Sequence, residues 1–374
     1  MAGFKRKVFY VGGFDPRGPR FYHALGAEQI ERWNLRMEEA ATLSTRRNVS
    51  DTRVDWTIAN PGRAVETDYS FLRWDDLVRA NWIGNPFTLA WRAFRAYRDN
   101  IRNLDFATGK RLGKGQLITL FYPAIFTLLF PLAFGLPIAL LLAIWLPWLF
   151  ALPIGLIAGI FLARPLLVKM HAPWLLRFFV FNSELGGSGA DPALNARLDA
   201  FADEIEAALD QGWDEVVLLT HSNGSILCVP LLARLLRRRG GALPPNFTFM
   251  TMGHCIPLVA CRRDATAFKE ELAYLASQDF RWIDIGSPPD GAAYSGVNPM
   301  LLVAPDPRPR MELLSPRFHL FYDPETYHKG YANKYEIHFD YLRTGDRVSE
   351  IDWPSLMATE RTASQAVADF RANH

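Results

Sequence analysis

The sequence predicts an α/β fold: a mostly parallel sheet with helices on both faces, interrupted by an inserted membrane helical hairpin. Three observations carry this. Apolar runs of strand length alternate with stretches of helical periodicity. From Leu117 to Ala163 there is no charged side chain. A buried-strand pattern, Val216 to Leu219, passes through a serine-containing turn straight into an apolar helix.

The chain has 374 residues, 49% hydrophobic and 21% charged, which excludes global disorder and a polytopic transporter and makes the apolar excess local. Lys and Arg number 41 against 39 Asp and Glu, a net +2, so no nucleic-acid partner is expected. Cys228, Cys255 and Cys261 lack CxxC spacing, so neither a disulfide framework nor a structural zinc is expected, and a reducing compartment suits them. No metal or cofactor is expected.

Taken in order, Val8 to Val11 is a short buried strand closed by Gly12 and Gly13, followed by a helix from about Phe21 to Leu43. Alternation at Val54, Trp56, Ile58 and at Tyr69, Phe71 predicts strands near 53–59 and 67–72. Arg92, Arg95, Arg98 and Arg102 then recur at near-helical spacing with Trp91, Phe94 and Tyr97 between them, a composition suited to a lipid headgroup layer. At 1.5 Å per residue the uncharged run would extend about 70 Å as one helix, against a hydrocarbon core of about 30 Å, so two passes are expected. The reversal falls at Gly135 and Pro137, or alternatively at Trp145, Pro147 and Trp148.

Arg102, Lys110, Arg111 and Lys114 precede the insert and Arg164, Lys169 and Arg177 follow it, which places both ends in the cytoplasm. The N-terminus has no signal-peptide pattern. Gly109, Lys110, Gly113 and Lys114 lack the Ser or Thr of a phosphate loop and read as a juxtamembrane linker. A linker at Gly186 to Gly189 marks the return to globular chain, giving a globular domain of 1–85 and 190–374 split by an insert of 86–189.

Asp191 and Pro192 open a helix with Leu194, Leu198, Phe201, Ile205 and Leu209 on one face. After the strand at 216–219, further strands end near Met252 and Ile285, separated by helices around 224–239 and 262–277.

Where the 216–219 strand ends, Thr220, His221, Ser222, Asn223, Gly224 and Ser225 form a candidate nucleophile elbow. A sharp strand-to-helix turn lifts a serine hydroxyl clear of the sheet and needs small neighbours two positions away. Gly224 meets that demand; Thr220 is larger than the usual glycine. A serine nucleophile needs a base and a carboxylate, which on such a scaffold follow in the order serine, acid, histidine. Asp290, in the loop after the strand ending at Ile285, is the expected acid and Asp284 the alternative. His338 is the expected base, with His319 and His328 as alternatives; His374 is terminal, and His221 and His254 read as hydrogen-bonded supports. The backbone N–H groups of Asn223 and of Gly13 or Phe14 are the expected oxyanion donors.

With these residues in place, the chain resembles the α/β-hydrolase superfamily. More narrowly, the segments Val11 to Pro19, Gly253 to Pro257, Arg317 to His319 and Ile337 to Tyr341 resemble a group of membrane-associated bacterial hydrolase-like proteins. The resemblance implies a serine hydrolase fold and favours Asp290 and His338 over their rivals. The expectation is an enzyme: a serine hydrolase of esterase or lipase type, anchored in the inner (cytoplasmic) membrane with its catalytic domain on the cytoplasmic side. It would cleave an ester or related acyl bond of an apolar acyl substrate, lipids included, with the lipid bilayer as its partner. The alternatives are an acyltransferase on the same triad and a non-catalytic hydrolase-like scaffold.

Overall fold

The computed structural model describes residues 3–105, 108, 114–188, 191–332 and 334–374. Nine strands are present among them: β1 (Phe4–Val11), β2 (Thr42–Leu43), β3 (Arg47–Ser50), β4 (Arg53–Asn60), β5 (Val65–Leu72), β6 (Glu215–His221), β7 (Phe247–Met252), β8 (Arg281–Ile285) and β9 (Met311–Leu314). The helices are α1 (Pro19–Met37), α2 (Asp75–Ala80), α3 (Pro86–Asn103), α4 (Lys114–Leu142), α5 (Trp148–Lys169), α6 (Ala172–Ser188), α7 (Pro192–Leu209), α8 (Gly224–Arg238), α9 (Pro257–Ala260), α10 (Thr266–Ala276), α11 (Pro324–Ala332), α12 (Lys334–Phe339), α13 (Trp353–Ala358) and α14 (Ala363–Asn373). Two compact units result: Met1–Trp82 with Leu104–Leu112 and Leu185–His374, and Ile83–Asn103 with Gly113–Glu184.

In the first unit the strands lie in the order β2-β4-β5-β1-β6-β7-β8-β9, with β3 on β4. From β5 through β9 every pairing is parallel, whereas β4 runs antiparallel to β5, β2 and β3. The sheet is therefore mixed: parallel over its larger part, as expected, and antiparallel at the β4 edge, which the sequence reading did not foresee. The reason is connection length. Only Pro61 to Ala64 join β4 to β5, with Ala64 at φ 54°, and so short a link can only fold the chain back on itself. Strands β6 and β7 are buried along their whole length, as strands covered by helices on both faces are.

Helix α1 ends at Met37, short of the expected Leu43. Glu38 turns left-handed (φ 54°), and the Asn34 side chain caps the turn by accepting from Ala41 N at 2.9 Å and donating to Ala41 O at 2.8 Å. Thr42 and Leu43 are thereby released to pair with β4. Asp191 caps α7 as expected, accepting from Ala193 N at 2.7 Å. One buried ion pair, Arg6 Nε to Glu215 Oε2 at 2.7 Å, joins β1 to β6. The same two side chains hold the C-terminal segment through Thr359 O, Arg361 O and Ala363 N.

In the second unit, α4 and α5 are long and apolar enough to cross a membrane, and only 11% and 28% of their apolar windows are buried, so they are not core helices. The reversal lies at 143–147, not at Gly135 and Pro137, both of which sit inside α4. Gly135 is used for packing instead. A Cβ on Gly155 would fall 2.6 Å from Ala139 N, and one on Gly159 would fall 2.2 Å from Pro131 O and 2.6 Å from Gly135 N. Small residues thus let the two backbones touch, while Leu128, Leu149 and Phe161 point outward. The expected linker is helical through Ser188, since two glycines cost a helix about 1 kcal/mol each and the apolar run before them propagates it. Lys110, Arg111 and Gly189 lie outside the described residues, as do Gly109 and Gly113.

The contact at Gly159 leaves no room for a side chain. Gly159→Leu should lower the thermal midpoint of the full chain in detergent, a loss of about 1–3 kcal/mol or more, whereas Ile160→Ala, at an exposed position, should leave it unchanged. Equal midpoints for both variants would contradict the close crossing.

Candidate active site

Strands β1 and β6 are neighbours at the centre of the sheet, and from them the chain proceeds to opposite sides: β1 toward β5, β6 toward β7. The carboxyl ends of two such strands border a crevice, the natural ligand position in an open α/β sheet. The loop Gly12 to Asp15 and the turn carrying Ser222 meet there.

Ser222 sits between β6 and α8 with φ 56°, a conformation uncommon for a residue with a side chain and one found where the surroundings over-determine it. Three contacts do so. Ser222 N donates to Met252 O at 3.0 Å. Ser222 O accepts from Ser225 N at 3.0 Å and from Ser225 Oγ at 2.6 Å. Ser225 Oγ in turn accepts from Cys255 N at 2.9 Å. Gly224 is crowded: a Cβ there would lie 2.3 Å from Val11 O, 2.5 Å from Thr220 Oγ1 and 2.7 Å from Gly12 O. Thr220, the departure from the usual glycine, is accommodated by donating its hydroxyl to Val11 O at 3.0 Å.

Gly13 faces the serine. A Cβ on Gly13 would come 3.1 Å from Ser222 Cβ and 3.4 Å from Ser222 Oγ. Among the described residues, the N–H groups of Gly13 and Asn223 donate to no protein acceptor. The Phe14 side chain is buried, stacked on Trp82 at 5.7 Å, which fixes the loop that carries its amide.

Asp290 and His338 are brought together: His338 Nδ1 donates to Asp290 Oδ2 at 2.8 Å. Asp290 is also held by Tyr341 Oη, donating to Oδ2 at 3.1 Å, and by Ala292 N, donating to Oδ1 at 3.0 Å. Burial pushes its pKa upward, but His338, Ala292 N–H and the Tyr341 hydroxyl outweigh burial and hold the carboxyl below its ordinary range. Asp290 is thus a buried carboxylate, and His338 keeps 14% side-chain exposure.

The alternatives lie elsewhere. Asp284 is buried inside β8, accepts from Thr251 Oγ1 at 2.7 Å, and is pushed up by burial; its nearest histidine, His254, is 3.8 Å away. His319 and His328 are exposed and flank Tyr327. Among the described residues no hydrogen bond joins Ser222 Oγ to His338. The polar atom it faces is Cys255 Sγ, at 3.9 Å.

Sequence reasoning missed two parts of this site. Tyr341, three residues beyond His338, supports the carboxylate and accepts from Ser287 N at 2.8 Å; its i+3 spacing from His338 was the available signal. Ser225 locks the turn. His221 is a hydrogen-bonded support, as expected, and the residue it supports is His338: its Nε2 donates to His338 O at 2.7 Å and the two rings lie 4.7 Å apart. Burial, then the nearby His338, drive the His221 pKa down to about 3, so its imidazole is neutral at ordinary pH.

Comparison with family models, curated proteins and solved structures finds no match for this chain.

His221 has a consequence for pH. The unfolded chain protonates it near pH 6.5 while the folded protein does not until about pH 3, so His221 removes stability as pH falls through that window. His221→Gln, which keeps an N–H for His338 O, should flatten the fall in thermal midpoint between pH 6.5 and 4.5. Parallel slopes for the two proteins would refute a neutral buried imidazole.

Proposed function

We propose that the chain is a serine hydrolase of the α/β-hydrolase type, anchored in a membrane through α4 and α5, that cleaves an ester or related acyl bond. The observation that carries this reading is the pairing of two features at one end of the sheet. One is a serine held at positive φ on a strand-to-helix turn; the other is a buried carboxylate fixing Nδ1 of a partly exposed histidine.

Ionised Asp290 can only accept hydrogen bonds, so the proton shared with His338 resides on Nδ1, and in the neutral imidazole the lone pair then lies on Nε2. That is the tautomer a general base requires. His338 Nε2 would take the Ser222 hydroxyl proton as Oγ attacks the acyl carbonyl carbon, and would return it to the departing alcohol oxygen. Asp290 would stabilise the imidazolium formed between these steps. The attack requires Ser222 Oγ to turn from Cys255 toward His338, a hydrogen bond that in free enzymes often closes only with substrate. Gly13 and Asn223 supply N–H groups beside the serine for the oxyanion, and a glycine at 13 keeps that approach open. Water then releases the acyl group by the same route in reverse.

Thr220 bears on the non-catalytic alternative. Its hydroxyl packs against Val11 O without displacing Gly224, so the departure from glycine does not by itself disable the turn. The length and outward apolar surface of α4 and α5 support the anchor, and the exposed position of their large side chains suits an apolar solvent.

Two measurements test the reading on the full chain in detergent. Wild-type protein should be labelled by a fluorophosphonate and should hydrolyse a p-nitrophenyl acyl ester; Ser222→Ala should lose both, and Asp290→Asn should lower the hydrolysis rate about 10⁴-fold. Undiminished labelling of Ser222→Ala would remove Ser222 as the nucleophile.

A further inference from the structure

Helix α3 has two faces of opposite fate. Leu89, Ala93, Ala96, Tyr97 and Asn100 are buried. On the other side Phe87, Trp91, Phe94 and Ile101 are 82%, 60%, 60% and 51% exposed. At about 100° per residue these four fall in one arc roughly 80° wide, and Arg98 shares it while Arg95 and Arg102 border it on one flank. Trp91 and Phe94 stack on each other at 5.9 Å. An uncovered aromatic stripe edged by arginines is costly in water, so something covers it.

The packing of α3 says what. Tyr97 Oη donates to Leu120 O at 2.6 Å, and its ring meets Phe121 at 6.2 Å and Phe179 at 6.2 Å. Arg92 Nε donates to Glu184 Oε1 at 2.9 Å. Leu120 lies in the second turn of α4, and Tyr122 Oη donates to Met170 O, just past the end of α5, at 3.1 Å. Helix α3 is therefore fastened to the end of the hairpin where the chain enters and leaves it. If the hairpin spans a bilayer, that end lies at the boundary between hydrocarbon and water. Ile118 and Val168, at the same end, are 65% and 55% exposed, so the same unit presents uncovered apolar surface both on α3 and at the end of the hairpin to which α3 is fastened. Four arginines against one aspartate give α3 the charge that anionic headgroups complement.

We propose that α3 lies in the plane of the membrane interface, its Phe87, Trp91, Phe94 and Ile101 stripe inserted among the lipids and its arginines, Arg98 within the stripe and Arg95 and Arg102 on its flank, bound to the phosphates of anionic lipids. The occupant of this face is a lipid surface, not a protein. The proposal rests on α4 and α5 lying in a bilayer and is independent of the chemistry at Ser222.

The test uses the full chain in nanodiscs of phosphatidylcholine alone and of phosphatidylcholine with phosphatidylglycerol at about 7:3. Nitroxide labels are placed at Phe94→Cys and, separately, at Leu129→Cys, whose native side chain is 49% exposed; Cys228, Cys255 and Cys261 are buried and should not label. Collision with oxygen reports lipid and collision with a water-soluble nickel complex reports solvent. The Phe94 label should favour oxygen over nickel in the mixed discs, at shallower depth than the Leu129 label. Arg95→Gln, Arg98→Gln and Arg102→Gln together should shift its lipid-to-water partition by at least fivefold, since one basic residue at an anionic surface is worth about that factor.

A nickel-accessible Phe94 label beside an immersed Leu129 label would overturn the proposal and leave the hairpin in the bilayer. A Phe94 label shielded from both reagents would assign the face to a protein and overturn it. Both labels in water would remove the bilayer reading and the proposal with it. Equal immersion in both discs, indifferent to the triple substitution, would overturn the recognition of anionic lipid.

Discussion

The close approach of two chain segments at the end of the central strands is the constraint on which the first unit depends. The carbonyls of Val11 and Gly12 occupy the space a Cβ of residue 224 would need, and Ser222 Cβ stands against Gly13. Strand β1 and helix α8 can meet so closely only with glycine at 13 and 224. Holding Ser222 at positive φ costs about 1–3 kcal/mol, and the turn offsets this with local hydrogen bonds from Ser225, from the Ser222 N–H to β7, and from Thr220 to β1. Each of those bonds ties the serine to a different neighbouring strand or helix. The backbone of Ser222 is consequently fixed relative to β1, β6 and β7 together, while its hydroxyl stays free to rotate.

Two carboxylate–histidine arrangements stand at this end of the sheet, and burial separates their roles. Asp284 and His254 are both fully buried, 3.8 Å apart, and the carboxyl is pushed toward its neutral form. Asp290 and His338 are joined at 2.8 Å; three donors keep the carboxyl ionised and the imidazole reaches the surface. Chemistry that moves a proton to and from substrate needs an exposed base and a partner whose charge persists. Only the second arrangement has both. The neutral His221 beneath the His338 ring adds a donor to the backbone of α12 without adding a competing positive charge.

What the sequence made legible follows from the range of the interactions involved. The strand at Val8 to Val11, the cap at Asp191 and the sharp turn at Ser222 are set by neighbours within a few residues, and each is found where the pattern puts it. The antiparallel edge was not legible from alternation alone. It depends on the brevity of the Pro61 to Ala64 link, a signal of length and not of polarity. The end of α1 depends on the Asn34 side chain reaching seven residues ahead to Ala41. In the site, Asp290 and His338 are 48 residues apart and their meeting rests on β8 and β9 lying side by side, whereas chain order alone left Asp284, His319 and His328 in contention.

The second unit inverts the packing rule of the first, and this explains why its chain reverses at the second of the two places the sequence offers, near Trp145 and Pro147, and not at Gly135 and Pro137. In the sheet unit large apolar residues such as Trp33, Trp74 and Trp282 fill the interior. Where α4 and α5 touch most closely the contact is glycine and alanine, with Ala139, Ala151 and Ala163 fully buried, while Leu167 with Phe126 and Phe130 packs nearer the other end and most large residues face out. Where no hydrophobic force separates inside from outside, backbones gain most by coming close, so small residues mark the contact. A glycine beside a proline is read in a water-soluble chain as a break. Here Gly135 is the contact, Pro137 is carried within the helix, and the chain reverses later, among the exposed Ile144, Trp145 and Leu146, where the apolar helix is long enough to end.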